Sequence, residues 1–438
     1  MIEKYLVKKI TEPVDWKVTV PGSKSMTNRA LLMAVLSAGT VRVEGVLFSD
    51  DSRHFLACLV ALGFTVEIEE EKKCVTVTGC GGRIPRGEAV IDVGSAGTAA
   101  RFLAAMLGFS DGCYEIRCSA QMKRRPMAEL FDLLSGAGAK ITFLEEEGHL
   151  PVRITGAGAQ IRSLEQEAVL NLDISTSTQF LSALLLIAPM VPEGMKIHIT
   201  SEKTDGSYIR ITRKMMQEFG VSVAFDGRDY EVPCRSSYQK ETYMVEPDMS
   251  AACYFYAAAA VTGGRALVRH VHMDNTQGDL RFLEVLEHMG CTADDTPEGV
   301  LVTGPADGAL RGITVNMNDF SDQALTLAAI APFADAPVRI EGIGHIRGQE
   351  CDRIHAIQTN LTALGIRCEE EERAATIYPG SPHGGSVETY DDHRVAMAFS
   401  LVGLRTDGIV IENPACCRKT FENYFTVLSE LTGKKTEA

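Results

Sequence analysis

The chain contains no apolar run able to cross a bilayer. Its longest apolar stretch, Phe180 to Val191, is broken by Ser182 and Pro189 and stops short of the roughly 20 residues a membrane helix needs. The N-terminal MIEKYLVKKI lacks the apolar core of a secretory signal and is too acidic and serine-poor for a transit peptide, so a cytoplasmic protein is expected. There is no GxxxxGK loop and no GxGxxG turn, which leaves nucleotide binding by those devices unsupported. None of the 12 cysteines forms a CxxC pair, and Cys416 and Cys417 are adjacent, which does not suit one zinc ion. No His, Cys and carboxylate spacing resembles a metal site, so neither metal nor cofactor is expected. Scattered free thiols in a reducing compartment are the simpler reading. Basic residues are the minority, with Lys+Arg 43 against Asp+Glu 58 and a net charge of −15. That balance disfavours a general nucleic-acid or anionic-membrane surface, while a local basic cleft for an anionic substrate stays possible.

What the chain does have is repetition. Its 438 residues fit about three domains or two large ones, and 45% hydrophobic with 23% charged residues is ordinary for a soluble globular protein. A short β-like run leads into a small or polar turn. An Ala/Leu-rich helical stretch follows, then a β-branched strand, a second helix and a strand after Gly. The first copy reads VTVPGSKSMTNRALLMAVLSAG, VRVEGV, DDSRHFLACLVALG, FTVEIEE. Later copies open at IDVGSAGTAARFLAAML, LDISTSTQFLSALLLIA, YMVEPDMSAACYFYAAAAVTGG, VNMNDFSDQALTLAAIAPFA and VETYDDHRVAMAFSLVGL. The residues heading the first helix of each are Lys24, Ser95, Ser177, Asp248, Asp322 and Asp392, separated by 71, 82, 71, 74 and 70 residues. Six α/β units of this kind are predicted. The first helix of each is apolar all round and should be buried, whereas the second carries charge on one side and should face solvent. Helix starts that gather together would offer free N–H groups and positive dipole ends to anions.

The residues at these starts carry two readings each. Lys24, Ser25 and Arg29 form either a capped start with solvated neighbours or an anion cradle. Gly97, Thr98 and Arg101 allow tight helix packing or close approach to a ligand. Lys123, Arg124 and Arg125 are a solvated loop or an anion contact, and Ser177, Thr178 and Gln179 are a cap or neutral donors. Tyr208 reads by default as core packing. Asp322 is a helix cap or, among cations, a general base. Glu350 and Arg353, three apart, are a surface ion pair on a helix face or part of a site. Copy 6 adds Asp392, His393 and Arg394, then Lys419.

In order, PGSKSMTNRALL, AGTAAR, RRP, STQFLSALL, SDQA, ECDR, DDHRVAMA and RKTF resemble the 5-enolpyruvylshikimate-3-phosphate synthase family across essentially the whole chain. The resemblance implies a two-lobed enolpyruvyl-transferase fold, an inside-out α/β barrel of six βαβαββ-type units, three per lobe. One lobe would comprise residues 1–21 and 244–438, the other 22–243. It implies transfer of the enolpyruvyl group of phosphoenolpyruvate to the 5-hydroxyl of shikimate 3-phosphate, by addition and elimination through a tetrahedral intermediate, in a monomer whose lobes close over both substrates. Carried over by motif, Lys24, Gly97, Arg125, Gln179, Arg353, Arg394 and Lys419 would hold phosphoenolpyruvate. Lys24, Ser25, Arg29, Ser177, Thr178, Gln179, Tyr208, Asp322 and Gln349 would hold shikimate 3-phosphate. Asp322 would take the hydroxyl proton, and Glu350 or Lys24 would protonate the methylene carbon.

Some positions depart from the family pattern. Gln349 stands where a basic residue is common, Ser95 replaces Asn, and Phe102 replaces Pro after Arg101. Thr204, Asp205 and Ser207 are all candidates for the serine usually found before Tyr208. Gly97, being small, should leave open space beside phosphoenolpyruvate, which would favour inhibition by glyphosate. The rival reading, a UDP-N-acetylglucosamine enolpyruvyl transferase, requires a reactive cysteine where this chain has Ala120, with Cys118 out of register. A non-catalytic anion-binding homologue would have no need of Asp322, Glu350, Lys24 and Lys419.

Overall fold

A computed structural model describes residues 3–306 and 308–433. The chain divides into two compact units. The first holds the residues up to Pro21 and those from Pro247 onward; the second is Gly22–Glu246. Within the second unit lie three four-stranded sheets. One has the order Glu88–Asp92, Cys113–Arg117, Val152–Thr155, Lys140–Phe143. Its first two strands pair in parallel because the helix Gly97–Gly108 crosses between them, and the last two form an antiparallel hairpin. The sheet built from Ala168–Leu172, Met195–Ile199, Asp229–Val232 and Ala224–Phe225 repeats this order, as does Thr314–Asn316, Val338–Glu341, Ala374–Ile377, Cys368–Glu370 in the first unit.

The copies nearest the chain crossovers differ from the sequence reading. The strand Asp15–Val18 precedes the helix Lys24–Leu36, yet it pairs in parallel with Arg265–Arg269 in the first unit. Conversely, Thr242–Met244 precedes the helix Met249–Thr262 but pairs with Thr40–Glu44 in the second unit. Copies 1 and 4 therefore exchange their leading strands. The exchange also accounts for a return crossover after Glu246 rather than at 243–244. Among the described residues the last copy has no hairpin of its own, and Lys4–Leu6 pairs antiparallel with Ile409–Glu412 beside Gly385–Val387.

In each unit the first helices of three copies pack on one another. Every residue of Gly97–Gly108 is buried, as are Phe180–Ile187 of the helix Thr178–Ile187 and His393–Leu404 of the helix His393–Arg405. The second helices bury one face only: Ser207–Glu218 hides Ile209, Ile211, Met215 and Met216. No helix among the described residues is long and apolar enough to cross a membrane.

One glycine position recurs where a hairpin ends against a buried helix. A Cβ at Gly79 would overlap the carbonyl oxygens of Ser37 and Ala34, one at Gly156 those of Ser110 and Leu107, and one at Gly304 that of Ala259. Gly156→Ala is expected to cost about 2 kcal/mol, read as a lowered urea midpoint, because backbone on both sides must move. At Gly136 a Cβ meets nothing within 4 Å. Gly136→Ala should therefore change stability by less than about 1 kcal/mol.

Candidate active site

In the second unit, Lys24 opens the helix Lys24–Leu36 and its Nζ lies 3.3 Å from Asp51 Oδ2, a carboxylate only 4% exposed. Arg29, one turn on, is fully buried. Its Nε donates to Thr212 Oγ1 at 2.8 Å, Nη1 to the Ser25 carbonyl at 2.9 Å, and Nη2 to Ser182 Oγ and the Tyr208 carbonyl at 3.3 Å each. The rings of Phe102 and Tyr208 lie 5.3 and 5.8 Å from the guanidinium. Among the described residues no carboxylate pairs with it. Burial pulls its pKa down to about 10, so it stays charged near neutrality. Arg29, expected to hold shikimate 3-phosphate, fixes the backbone of Ser25 and Tyr208. Phe102 is part of its cage, which gives that departure from the family pattern a packing role.

Copy 2 meets copy 1 through Asn28 Nδ2, which donates to Thr98 Oγ1 at 2.7 Å. The space beside Gly97 is not open. A Cβ there would overlap Arg125 Nη1 and come within 2.8 Å of Arg101 Nη1. Glycine is what lets the Arg125 guanidinium lie against the helix start. Arg101 donates to the Gly97 carbonyl at 3.0 Å and sits over the Phe180 ring. Arg125 is 9% exposed and its Nε has no hydrogen-bond partner. By contrast, Arg124 is exposed, and Lys123, which ends the Ala120–Lys123 helical turn, pairs with Glu145 at 2.5 and 2.7 Å. Ser95 Oγ hydrogen-bonds Ser119 Oγ at 2.7 Å, which ties the helix start to the Ala120–Lys123 turn.

Ser177 caps its helix, accepting from Gln179 N–H at 3.2 Å. Gln179 Oε1 is buried without a partner, and Thr178 and Tyr208 are half-buried. Just before the cap, Thr176 Oγ1 donates to Glu129 Oε1 at 2.7 Å, a tie between copies 2 and 3 that no motif announced.

The first unit gathers acids and cations together. Asp322 lies in the short turn Ser321–Gln323, and its carboxylate accepts from Arg353 Nη1 at 3.0 Å and Arg394 Nη2 at 2.9 Å. Arg353 also donates from Nη2 to Glu350 Oε2 and from Nε to Asp392 Oδ2, both at 2.8 Å. Lys419 Nζ is 3.1 Å from Glu350 Oε1. Glu350 and Arg353 do not share a helix face, since the helix Arg353–Ala363 begins only after its cap Asp352. Nor are they a surface pair, with side chains 8% and 2% exposed. Burial opposes the charge on Arg353, but Asp392, Glu350 and Asp322 more than offset it, and its proton affinity is raised. Asp392 has two roles, because its Oδ1 also caps the Arg394 N–H at 2.9 Å. Gln349 is half-buried beside Glu350. No group of three His, Cys, Asp or Glu able to hold a metal occurs among the described residues.

Each unit thus offers different chemistry. The second presents buried cations, two of which, Arg29 and Arg125, have no acid partner among the described residues, a setting for anions. The first holds carboxylates on guanidinium donors, a setting for proton transfer beside an anion.

The family described as EPSP synthase (3-phosphoshikimate 1-carboxyvinyltransferase) matches residues 8–428. A 3-phosphoshikimate 1-carboxyvinyltransferase of Trichormus variabilis is 41% identical over 426 residues, covering 97% of this chain and 98% of that protein. Among solved structures, EPSP synthase from Acinetobacter baumannii superposes with a TM-score of 0.79 at 25% identity, covering 98% of this chain and 97% of the other. The enolpyruvyl transferase NikO from Streptomyces tendae shares the fold at a TM-score of 0.73 and 16% identity, with the same coverage of both chains.

Arg353→Met leaves Asp392, Glu350 and the partly buried Asp322 without their common cation. A loss of about 3–5 kcal/mol is expected in urea unfolding, with only part of it recovered by Arg353→Lys, which cannot fork.

Proposed function

The chain belongs to the EPSP synthase family, and from that premise we propose how its charged residues divide the reaction. It is a 3-phosphoshikimate 1-carboxyvinyltransferase, moving the enolpyruvyl group of phosphoenolpyruvate to shikimate 3-phosphate and releasing phosphate. The division of labour rests on one observation above the others: Asp322 and Glu350, two carboxylates, share the buried Arg353 with Arg394 and Lys419 at hand.

Arg353, Arg394, Lys419, Lys24, Arg125 and Gln179 bind phosphoenolpyruvate, with Gly97 making room for the Arg125 guanidinium. Lys24, Ser25, Arg29, Ser177, Thr178, Gln179, Tyr208, Asp322 and Gln349 serve shikimate 3-phosphate, with Arg29 also holding the backbone of Ser25 and Tyr208. Asp322 accepts the proton of the 5-hydroxyl as that oxygen attacks C2 of phosphoenolpyruvate. Glu350 or Lys24 supplies the proton that the methylene carbon gains in the addition. Elimination then reverses that proton transfer and expels phosphate. Positive character at C2 is offset by the neighbouring carboxylates.

A phosphate-release assay with purified protein, phosphoenolpyruvate and either shikimate 3-phosphate or UDP-N-acetylglucosamine tests the acceptor. Release with shikimate 3-phosphate alone is expected, and release only with the nucleotide sugar would reassign the enzyme. Asp322→Ala should lower kcat by about a hundredfold to ten-thousandfold while shikimate 3-phosphate still binds, as calorimetry can read. Gly97→Ala pushes the Arg125 guanidinium aside, so KM for phosphoenolpyruvate should rise about tenfold with affinity for shikimate 3-phosphate kept.

A further inference from the structure

We propose that Asp279, a residue to which no part of the reaction has been assigned, is a positioning residue that holds Asp322 in place and keeps it a competent base. The proposal rests on the reading of Asp322 as the group that takes the hydroxyl proton.

Asp279 lies in the turn Gly278–Arg281 and is 6% exposed. Its Oδ2 accepts from Gln323 Nε2 at 3.0 Å and from Ser250 Oγ. Gln323 is wholly buried, and its Oε1 accepts from Thr326 Oγ1 at 2.9 Å. The Gln323 amide is therefore oriented at both ends, and Asp322 is the residue joined to it. Among the described residues no Lys or Arg forms an ion pair with Asp279. A buried carboxylate held only by neutral donors costs stability, and such groups concentrate at functional sites.

Asp322 and Arg394 face Asp279 from the turn Ser321–Gln323 and the helix His393–Arg405, and Cys253 from the helix Met249–Thr262. Cys253 and the nearby Tyr254 are pushed well up by burial and stay neutral. Burial and then the charge of Asp322 raise the pKa of Asp279, while Arg394, Ser250 and Gln323 pull it back. The two carboxylates repel, and each favours protonation of the other. Arg353 and Arg394 act on Asp322 in the opposite sense, because N–H donors to a carboxylate weaken it as a base. The negative charge of Asp279 offsets that weakening, and the Gln323 bond keeps the carboxylate in reach of its donors.

The test is kcat against pH for the full chain with both substrates saturating. Asp279→Asn removes the charge and keeps the shape. Loss of the neighbour makes Asp322 a weaker base, so kcat should fall about three- to tenfold and the acidic limb should move down by about half a unit to one unit. Ser250→Ala keeps Asp279 but removes a donor to its ionised form. Asp279 then takes up its proton at higher pH and withdraws its charge from Asp322, so the acidic limb should again move down, by less than in Asp279→Asn. Loosened packing alone lowers kcat without moving the limb. Limbs that stay put or move up overturn the proposal. Should Asp279→Asn not fold, Ser250→Ala alone decides by whether its limb falls. Asp322→Asn separates the two readings: if it retains full kcat, the base assignment itself fails, whereas a dead Asp322→Asn with unmoved limbs in the other variants removes Asp279 alone.

Discussion

Six helices with no polar face dictate where chemistry can occur in this fold. A helix such as Gly97–Gly108, buried along its whole length, has no side on which a charged group can stand without cost. Only its first turn, where N–H groups lack internal partners, meets a polar environment. Repetition then multiplies that one opportunity. Lys24, Gly97 and Thr178 in one unit, and Asp322, Asp392 and Arg394 in the other, occupy equivalent stations at or beside the start of a buried helix. Residues hundreds of positions apart occupy a common station because each is the exit of the same packing problem.

The two units use this station with opposite charge logic. In the second, Arg29 is neutralised by no acid among the described residues and is stabilised by hydroxyls, carbonyls and two ring faces. In the first, Arg353 binds three carboxylates from three segments, a cluster that costs much desolvation and survives because each member is satisfied several times. Substrates that bring phosphate and carboxylate groups need the first kind of setting to bind and the second kind to react.

How far the sequence carried depended on whether a feature was local. The repeat, the buried character of the first helices and the cap at Ser177 follow from short-range pattern and were legible, whereas the cap reading of Asp322 fails because its carboxylate is taken by Arg353 and Arg394. Pairing partners were not. The exchange of Asp15–Val18 with Thr242–Met244 leaves every local propensity unchanged, so nothing in either strand reveals which sheet it joins. Side-chain direction was hidden for the same reason. Arg29 reads as a basic residue near a turn, and only the approach of Thr212, Ser182 and Phe102 makes it interior. The spacing of Glu350 and Arg353 suggested a helix face because three residues is a helical interval. Asp352 caps the helix between them, and their contact arises from a bend instead. Asp279 and Glu129 belong to no motif, and their partners lie 44 and 47 residues away.

The arrangement of Asp322 has a consequence for the order of events. Both of its oxygens are engaged by guanidinium groups, Oδ1 by Arg353 and Oδ2 by Arg394. A carboxylate so held is a poor base, since protonation must break charge-assisted bonds. The same guanidinium groups are the natural partners of an anionic donor substrate. An anion that takes an N–H from Arg394 removes it from Asp322 and raises the proton affinity of that carboxylate. Glu350 stands in the same relation to Lys419. On the role proposed for Asp322, binding of the donor and release of the base are one exchange of partners.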